Sequence, residues 1–436
     1  MKKISLPTQI LVAMLVGLAL GVWATLAGGQ RWVNHYLMPW GQIFLNLLKL
    51  IALPLVLASL VSGVASLRSV HSLSRLGSKT IGLYILTTVL AVSMGLLVSG
   101  IVGPGKYLSV EKREALKEKF GGVAGQKAEA AQAQADQSPL QPLVDMVPSN
   151  LVQAAGDNTR MLQVIVFAML LGVALVGVSE EKGMAVRAFF NSFNDVMLRL
   201  TEIIMRGAPL GVLGLMAGVV VQIGGDDPAG LADLFRALLM YILCVLTALL
   251  LIILVNYSVL LRFFARRFWG RRFFKTLLPA QQLAFTTSSS AATLPATMEC
   301  VEEGLGIPKK IAGFVLPLGA TINMDGTSAY QAVATVFIAQ AFGLDLSFSQ
   351  YLTIILTATL ASIGSAAVPG AGMVMLVIVL GSVGLGPEGL ALIVAPDRLL
   401  DMARTVVNVT GDAVVTAVVA QSEGIHPFEH ASNSES

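Results

Sequence analysis

Up to residue 261 the chain alternates long apolar runs with short polar interruptions. The runs Ile10 to Leu26, Leu37 to Leu67, Ile81 to Val102, Met161 to Val178, Val196 to Ile223 and Leu231 to Leu261 approach or exceed the roughly 20 residues a helix needs to cross a bilayer. Several are longer than a perpendicular span requires, which implies tilt. The first run follows Lys2 and Lys3 and superficially resembles a secretory signal peptide. It is long enough to span and more apolar runs follow at once, so it reads as the first transmembrane helix.

Beyond these six runs the pattern changes. From Phe274 to Glu423 the apolar segments are broken by small polar residues, glycines and prolines. Lipid cannot satisfy the backbone groups such breaks expose, so they are tolerated only inside protein or beside a wet cavity. Two breaks share one form. Phe285-Thr-Thr-Ser-Ser-Ser-Ala-Ala-Thr-Leu-Pro295 holds a run of hydroxyls from Thr286 to Ser290, and Ser362-Ile-Gly-Ser-Ala-Ala-Val-Pro-Gly-Ala-Gly372 lies between Leu352 to Leu360 and Met373 to Leu380. The flanking apolar stretches are too short to span separately, so each break reads as the tip of a re-entrant hairpin, a sequence pointer to a transporter binding site. Taken alone, either could instead be a small-residue helix-packing surface.

Composition agrees with a polytopic all-α membrane protein. Of the 436 residues 55% are hydrophobic and only 13% charged, about half the charged fraction of soluble domains, which excludes a soluble globular enzyme. The formal net charge of +3 does not point to a nucleic-acid partner. Cys244 and Cys300 lie in or beside apolar stretches and imply neither a disulfide framework nor a cysteine metal site. Arg262, Arg266, Arg267, Arg271, Arg272 and Lys275, with Lys2, Lys3, Arg68, Arg75 and Lys79, belong on the cytoplasmic side. An N-terminus inside and six spans return the chain to the cytoplasm at this same cluster. The stretch Gly105 to Pro139 mixes acids and bases and ends in the Ala/Gln run Ala128 to Gln137; it reads as a solvated external loop without chemistry.

Two late segments carry polar groups at membrane depth. Pro317-Leu-Gly-Ala-Thr-Ile-Asn-Met-Asp-Gly-Thr327 places Asn323 and Asp325 in an otherwise apolar span, and the last segment carries Asp397, Asp401, Arg404, Thr405, Asn408 and Asp412. At about 100° per residue these six fall in an arc of roughly 100° on one helical face. Ionisable groups there cost on the order of 2.5 to 3.5 kcal/mol each on insertion scales. Arg404 lies one turn from Asp401 and offsets part of that cost. The remaining carboxylates call for cations and the fork of Arg404 for an anion; a self-satisfied structural network is the alternative. An intramembrane hydrolase using one of Ser288 to Ser290 would need a base, yet His35, His71, His426 and His430 lie near segment ends or in the tail. A channel stays open as a reading, since hairpins and polar stripes also line pores.

Ser288-Ser-Ser with Thr293-Leu-Pro295, Asn323-Met-Asp-Gly-Thr327, Val368-Pro-Gly-Ala-Gly372 and Asp401-Met-Ala-Arg-Thr-Val-Val-Asn-Val-Thr-Gly-Asp412 together resemble the glutamate transporter family of dicarboxylate/amino acid:cation symporters, over nearly the whole chain. The resemblance implies eight transmembrane helices plus two oppositely oriented re-entrant hairpins, a homotrimer and an elevator mechanism. It assigns residues 1–76 and 140–224 to a scaffold, 77–104 and 225–425 to a moving transport domain, 105–139 to an extracellular loop and 426–436 to a cytoplasmic tail. By motif, Arg404 would hold the substrate side-chain carboxylate and Asp401 its ammonium group. Thr327, Thr405 and Asn408 would meet its remaining polar atoms, Ser289, Ser290, Val368, Pro369, Gly370 and Gly372 would close over it, and Asp397 would orient the guanidinium.

The same resemblance implies three sets of oxygen ligands for co-transported sodium. One comprises Asp412, Asn408, Asn323 and the carbonyl of Gly319; another Asp325, Asn323, Tyr84, Thr87 and Thr88; a third the backbone near Thr321, Met324, Ser362, Ile363 and Ser365. The chain departs from the family where many members carry a further arginine, having Ser288 and Met402 there, and it has Gln331 where the animal carriers have a glutamate linked to proton movement. The expectation is a sodium-coupled symporter of L-aspartate or L-glutamate in a cell inner membrane, both termini cytoplasmic, with lipid and an acidic amino acid as its partners. A proton-coupled dicarboxylate carrier or a neutral amino-acid carrier is the runner-up, and an anion channel or transport-inactive binding protein the reading from another class.

Overall fold

A computed structural model describes residues 6–66, 74–109, 114, 147–156, 161–224, 228–264, 270–363, 365 and 370–428, and all regular structure among them is helical. Lys2, Lys3, Arg68, His71, Arg266, Arg267, Val368, Pro369, His430 and most of the stretch from Gly105 to Pro139 lie outside the described residues.

The first apolar run forms α1 (Leu6–Ala27). A π-helical turn, Val33–Leu37, leads into α2 (Met38–Ser66), which carries Pro54 in its interior. Then come α3 (Ser74–Val102) and α4 (Met161–Gly177). The fifth apolar run, expected as one span from Val196 to Ile223, is instead two helices. α5 (Glu180–Arg206) and α6 (Ala208–Gly224) meet at a bend of 54°. Gly207 and Pro209 stand at the junction: proline offers no N–H to continue the ladder and is tolerated in the first turn of a helix. α5 is amphipathic, with Glu180, Glu181, Lys182, Arg199 and Glu202 exposed while Met197, Thr201, Ile204 and Met205 are buried. Hydrophobicity averaged along the chain had merged its apolar face with the apolar α6.

α7 (Pro228–Leu251) continues through a π-helical turn, Ile252–Tyr257, into the helix Ser258–Phe264. Among the described residues four helical stretches are long and apolar enough to cross a membrane, namely Thr8–Ala27, Leu76–Tyr107, Ala232–Phe264 and Pro396–Ser422, with the bent α5/α6 pair as a fifth candidate.

Both polar breaks lie between paired short helices. In the first, α8 (Leu278–Thr287) and α9 (Ser290–Glu299) are ten residues each. Ser288 turns the tip with φ 52, a left-handed conformation that costs a non-glycine residue, and Ser289 caps α9 by accepting the Ala292 N–H at 3.2 Å. α10 (Lys309–Ile322) and α11 (Asp325–Ala341) are interrupted by the extended residues Asn323 and Met324. The second hairpin pairs α12 (Phe348–Ile363) with α13 (Ala371–Ser382). The chain closes with the 33-residue α14 (Leu390–Ser422). Its C-terminal extension returns to the foot of the first hairpin, where the Phe428 N–H donates to the Leu305 carbonyl at 2.7 Å and the Arg272 guanidinium lies 4.3 Å above the Phe428 ring.

Packing sorts the helices into two groups. α1 lies along α6, and α2 packs on α4, α5 and α6. The α1/α6 approach depends on small residues, since a Cβ at Gly17 would stand 2.6 Å from the Leu213 carbonyl oxygen. The other group is built around α11, almost every residue of which is buried, with α3, α7, α12, α13 and α14 against it. Polar side chains from α3, α7, α11 and α14 therefore converge inside the second group.

Candidate functional site

The break between α10 and α11 organises the site. Asp325 is the first residue of α11, where the helix dipole favours a carboxylate. Its Oδ1 accepts hydrogen bonds from Thr88 Oγ1 at 2.8 Å and Thr87 Oγ1 at 3.3 Å, and its Oδ2 from the Tyr257 hydroxyl at 2.9 Å. Thr87 Oγ1 also lies 3.2 Å from Asn323 Oδ1, and Asn323 Nδ2 donates to Asp412 Oδ1 at 2.9 Å. Tyr84 donates to the Val315 carbonyl at 2.9 Å. Gly319 leaves room for this cluster: a Cβ there would stand 2.5 Å from Asp412 Oδ1 and would also collide with the Tyr84 hydroxyl. Asp325, Asp412, Asn323, Tyr84, Thr87 and Thr88 are all buried. Neither carboxylate has a basic partner among the ion pairs of the described residues.

One turn or more along α14 lies a cluster of opposite character. Arg404 has no exposed surface; its Nη2 donates to Asp401 Oδ1 at 2.7 Å and lies 3.2 Å from Asp397 Oδ1. The guanidinium stacks 3.8 Å from the centre of the Tyr330 ring. Its Nε and Nη1 have no hydrogen-bond partner. Gly372 backs the Nη1 edge, a Cβ there standing 3.2 Å from it, and Gln331 Nε2 holds the Gly372 carbonyl at 3.3 Å. Asn408 ties α14 to α11: its Oδ1 accepts the Gly326 N–H at 2.8 Å and its Nδ2 donates to Thr327 Oγ1 at 3.3 Å. Thr405 Oγ1 donates to the Asp401 carbonyl at 2.8 Å. Asp401 Oδ2 accepts the N–H of Gly370 at 3.1 Å, and Gly370 precedes α13 as its N-cap with φ 84, where glycine is unstrained.

The other expected residues fall around these clusters. Ser289 and Ser290 are buried at the first hairpin tip, whose α8 arm is tied to α14 by a 3.0 Å hydrogen bond from Gln281 Nε2 to Thr410 Oγ1. Ser362 and Ser365 are buried at the end of α12 with hydroxyls that lack partners, and Ile363 is half-buried. Met324 is buried, and its carbonyl accepts from the N–H and hydroxyl of Ser328 at 2.9 and 3.0 Å. Thr321 stands apart, exposed, with its hydroxyl on the Pro317 carbonyl.

Sequence reading missed three members. Tyr257 reaches Asp325 from the π-helical turn in α7, Tyr330 forms the floor under Arg404, and Arg398, 8% exposed, puts Nη1 3.6 Å from Asp401 Oδ2. Asn256-Tyr257 inside an apolar run and a second arginine beside Asp397 were the available signals. Arg398 alters the charge balance. Asp397 and Asp401 face two guanidiniums, so the surplus negative charge sits on Asp325 and Asp412. Among the described residues no three His, Cys, Asp or Glu gather as a metal cage. The neutral oxygens around Asp325 and Asp412 instead suit a hard monovalent cation.

Comparisons with known proteins agree with this chemistry. The model of the sodium:dicarboxylate symporter family matches residues 6–422. The chain is 35% identical to the proton/sodium-glutamate symport protein of Bacillus subtilis (strain 168), covering 97% of this chain and 94% of that one. It is 34% identical to the proton/glutamate-aspartate symporter of Escherichia coli (strain K12), covering 98% and 94%. It is 37% identical to excitatory amino acid transporter 3 of Homo sapiens, covering 87% and 78%.

Proposed function

The chain belongs to the sodium:dicarboxylate symporter family, and from that premise we propose that it carries L-aspartate or L-glutamate across the cell membrane together with sodium. It is an all-helical transporter and not an enzyme. The observation that carries the substrate assignment is the Arg404 guanidinium, wholly buried and with Nε and Nη1 unmatched. Buried donors without partners cost several kcal/mol in rough terms, and a carboxylate fits a guanidinium fork by geometry and charge. Arg404 takes the substrate side-chain carboxylate, Asp401 its ammonium group, and Thr327, Asn408, Thr405 and the first hairpin's Ser289 and Ser290 its remaining polar atoms. Asp397 steadies the fork.

Sodium is cargo, held by the oxygens around Asp325 and Asp412, with a further ion near the carbonyls of Met324, Ser362 and Ile363. Cation loading neutralises the two carboxylates that lack basic partners, which lets the loaded domain cross an apolar barrier. The packing supports an elevator: α3, α7 and the elements from α8 to α14 move against a scaffold of α1, α2, α4, α5 and α6, which holds three copies together. Hairpin two packs on α2 and α4, whereas hairpin one exposes Phe285 and Thr286 close in sequence to Arg271, Arg272 and Lys275. This arrangement corresponds to a site facing the cytoplasm, with both termini on that side.

Proton coupling is the second reading, favoured by the names of the bacterial relatives. Uptake of labelled L-aspartate into proteoliposomes separates the two, with an inward sodium gradient compared to an inward proton gradient at equal membrane potential. Concentrative uptake with sodium alone is expected. Uptake driven by protons alone would overturn the sodium assignment, and equilibration without concentration would indicate a channel.

A further inference from the structure

Asp401 is held from three directions before any ligand arrives. Arg404 Nη2 donates to its Oδ1 at 2.7 Å, Gly370 N–H to its Oδ2 at 3.1 Å, and Arg398 Nη1 stands 3.6 Å from the same Oδ2. Arg398 itself is 8% exposed, and its Nε has no hydrogen-bond partner. Its head lines a cavity at the seam between the two helix groups, walled by Phe44, Met205, Ala208, Val212, Gly370 and Met373. Apart from Asp397 and Asp401, no acidic side chain lines that cavity. A buried guanidinium against apolar walls depends on its counter-ions, and Asp401 is the carboxylate with which Arg398 forms an ion pair among the described residues, so the two are coupled.

We propose that Arg398 is a positioning and specificity-determining residue which, as second counter-charge of Asp401, sets how strongly the site demands an ammonium group on its substrate. The inference rests on the assignment of Asp401 to the substrate ammonium. With Arg398 present, a dicarboxylate without an amine leaves Asp401 paired, and an arriving ammonium must share Asp401 with two guanidiniums. With Arg398 neutralised, Oδ2 keeps only the Gly370 N–H, and an ammonium gains correspondingly more. Succinate carries one more net negative charge than L-aspartate, so losing a nearby cation weakens succinate more, in the same direction.

The test compares binding of L-aspartate and succinate to detergent-solubilised wild type and Arg398→Gln at saturating sodium. The ratio of the succinate to the L-aspartate dissociation constant is expected to rise by about tenfold in Arg398→Gln, the scale of one close charge pair. A role in packing alone would move both constants together and leave the ratio unchanged, which would overturn the proposal. Should Arg398→Gln fail to fold, Arg398→Lys keeps a cation but loses the fork and is expected to raise the ratio by about two- to threefold; no rise there is the overturning result. Wild-type protein that binds L-aspartate with an unmoved ratio in the variant refutes the role of Arg398 alone. Wild-type protein that binds neither ligand refutes the substrate assignment and this inference together.

Discussion

Arg404 shows how one residue can state a ligand's chemistry. Its aromatic floor on Tyr330 and its ion pairs with Asp397 and Asp401 fix the plane of the guanidinium, while Nε and Nη1 stay unmatched. Arg404→Cys removes the one fully buried fork among the described residues and is expected to weaken L-aspartate binding by at least about 100-fold, the scale of losing one partner of a buried, hydrogen-bonded charge pair. Isothermal titration checks it, and unchanged affinity would detach Arg404 from the side-chain carboxylate. Ser288 and Met402 stand where the family resemblance leads one to expect a further arginine. Ser288 spends its place on a left-handed tip conformation, and the second guanidinium near Asp401 comes from Arg398 instead.

At the scale of elements, interruptions shape the candidate site. The extended pair Asn323 and Met324 turns Asn323 toward Asp412 and starts α11 at Asp325. The π-helical turn in α7 brings Tyr257 onto Asp325 and onto the Val407 carbonyl at 3.1 Å, consistent with the frequent use of such bulges at functional sites. Close packing of α10 on α3 and α14 is possible because position 319 lacks a side chain. Gly319→Ala is expected to push Tyr84 and Asp412 apart and to raise the sodium concentration needed for half-maximal L-aspartate binding by about tenfold or more, since binding of the two ligands is linked reciprocally. A sodium titration indistinguishable from wild type would show that the Asp412 cluster holds no coupled cation.

For the whole molecule, buried charge bears on the proposed coupling. Four carboxylates, Asp325, Asp397, Asp401 and Asp412, face two guanidiniums, Arg398 and Arg404, and no other acidic or basic side chain is buried among the described residues. That leaves two negative charges, and an acidic amino acid adds one more. Three monovalent cations would therefore make the proposed loaded domain neutral, the condition under which apolar barriers are crossed at least cost. Flux ratios of labelled sodium and L-aspartate in proteoliposomes are expected to give three cations per substrate. Two per substrate would mean that a bare charge crosses or that one carboxylate is protonated.

The class of the protein was legible without coordinates, because apolar length and charge placement are dictated by the bilayer and not by particular neighbours. The two hairpins were legible for the same reason: arms of ten to sixteen residues are too short to cross. The stripe on α14 followed from helical periodicity alone. The division of the fifth apolar run was not legible, since average hydrophobicity hides an amphipathic face beside a proline junction. Tyr257, Tyr330 and Arg398 were not legible either, because contacts between α7, α11 and α14 depend on how distant segments pack. Sequence by itself determined which residue types lie at membrane depth. Only the tertiary structure decided which carboxylates already own a guanidinium, and hence that Asp325 and Asp412 have none among the described residues, because pairing is a matter of ångströms in space and not of order along the chain.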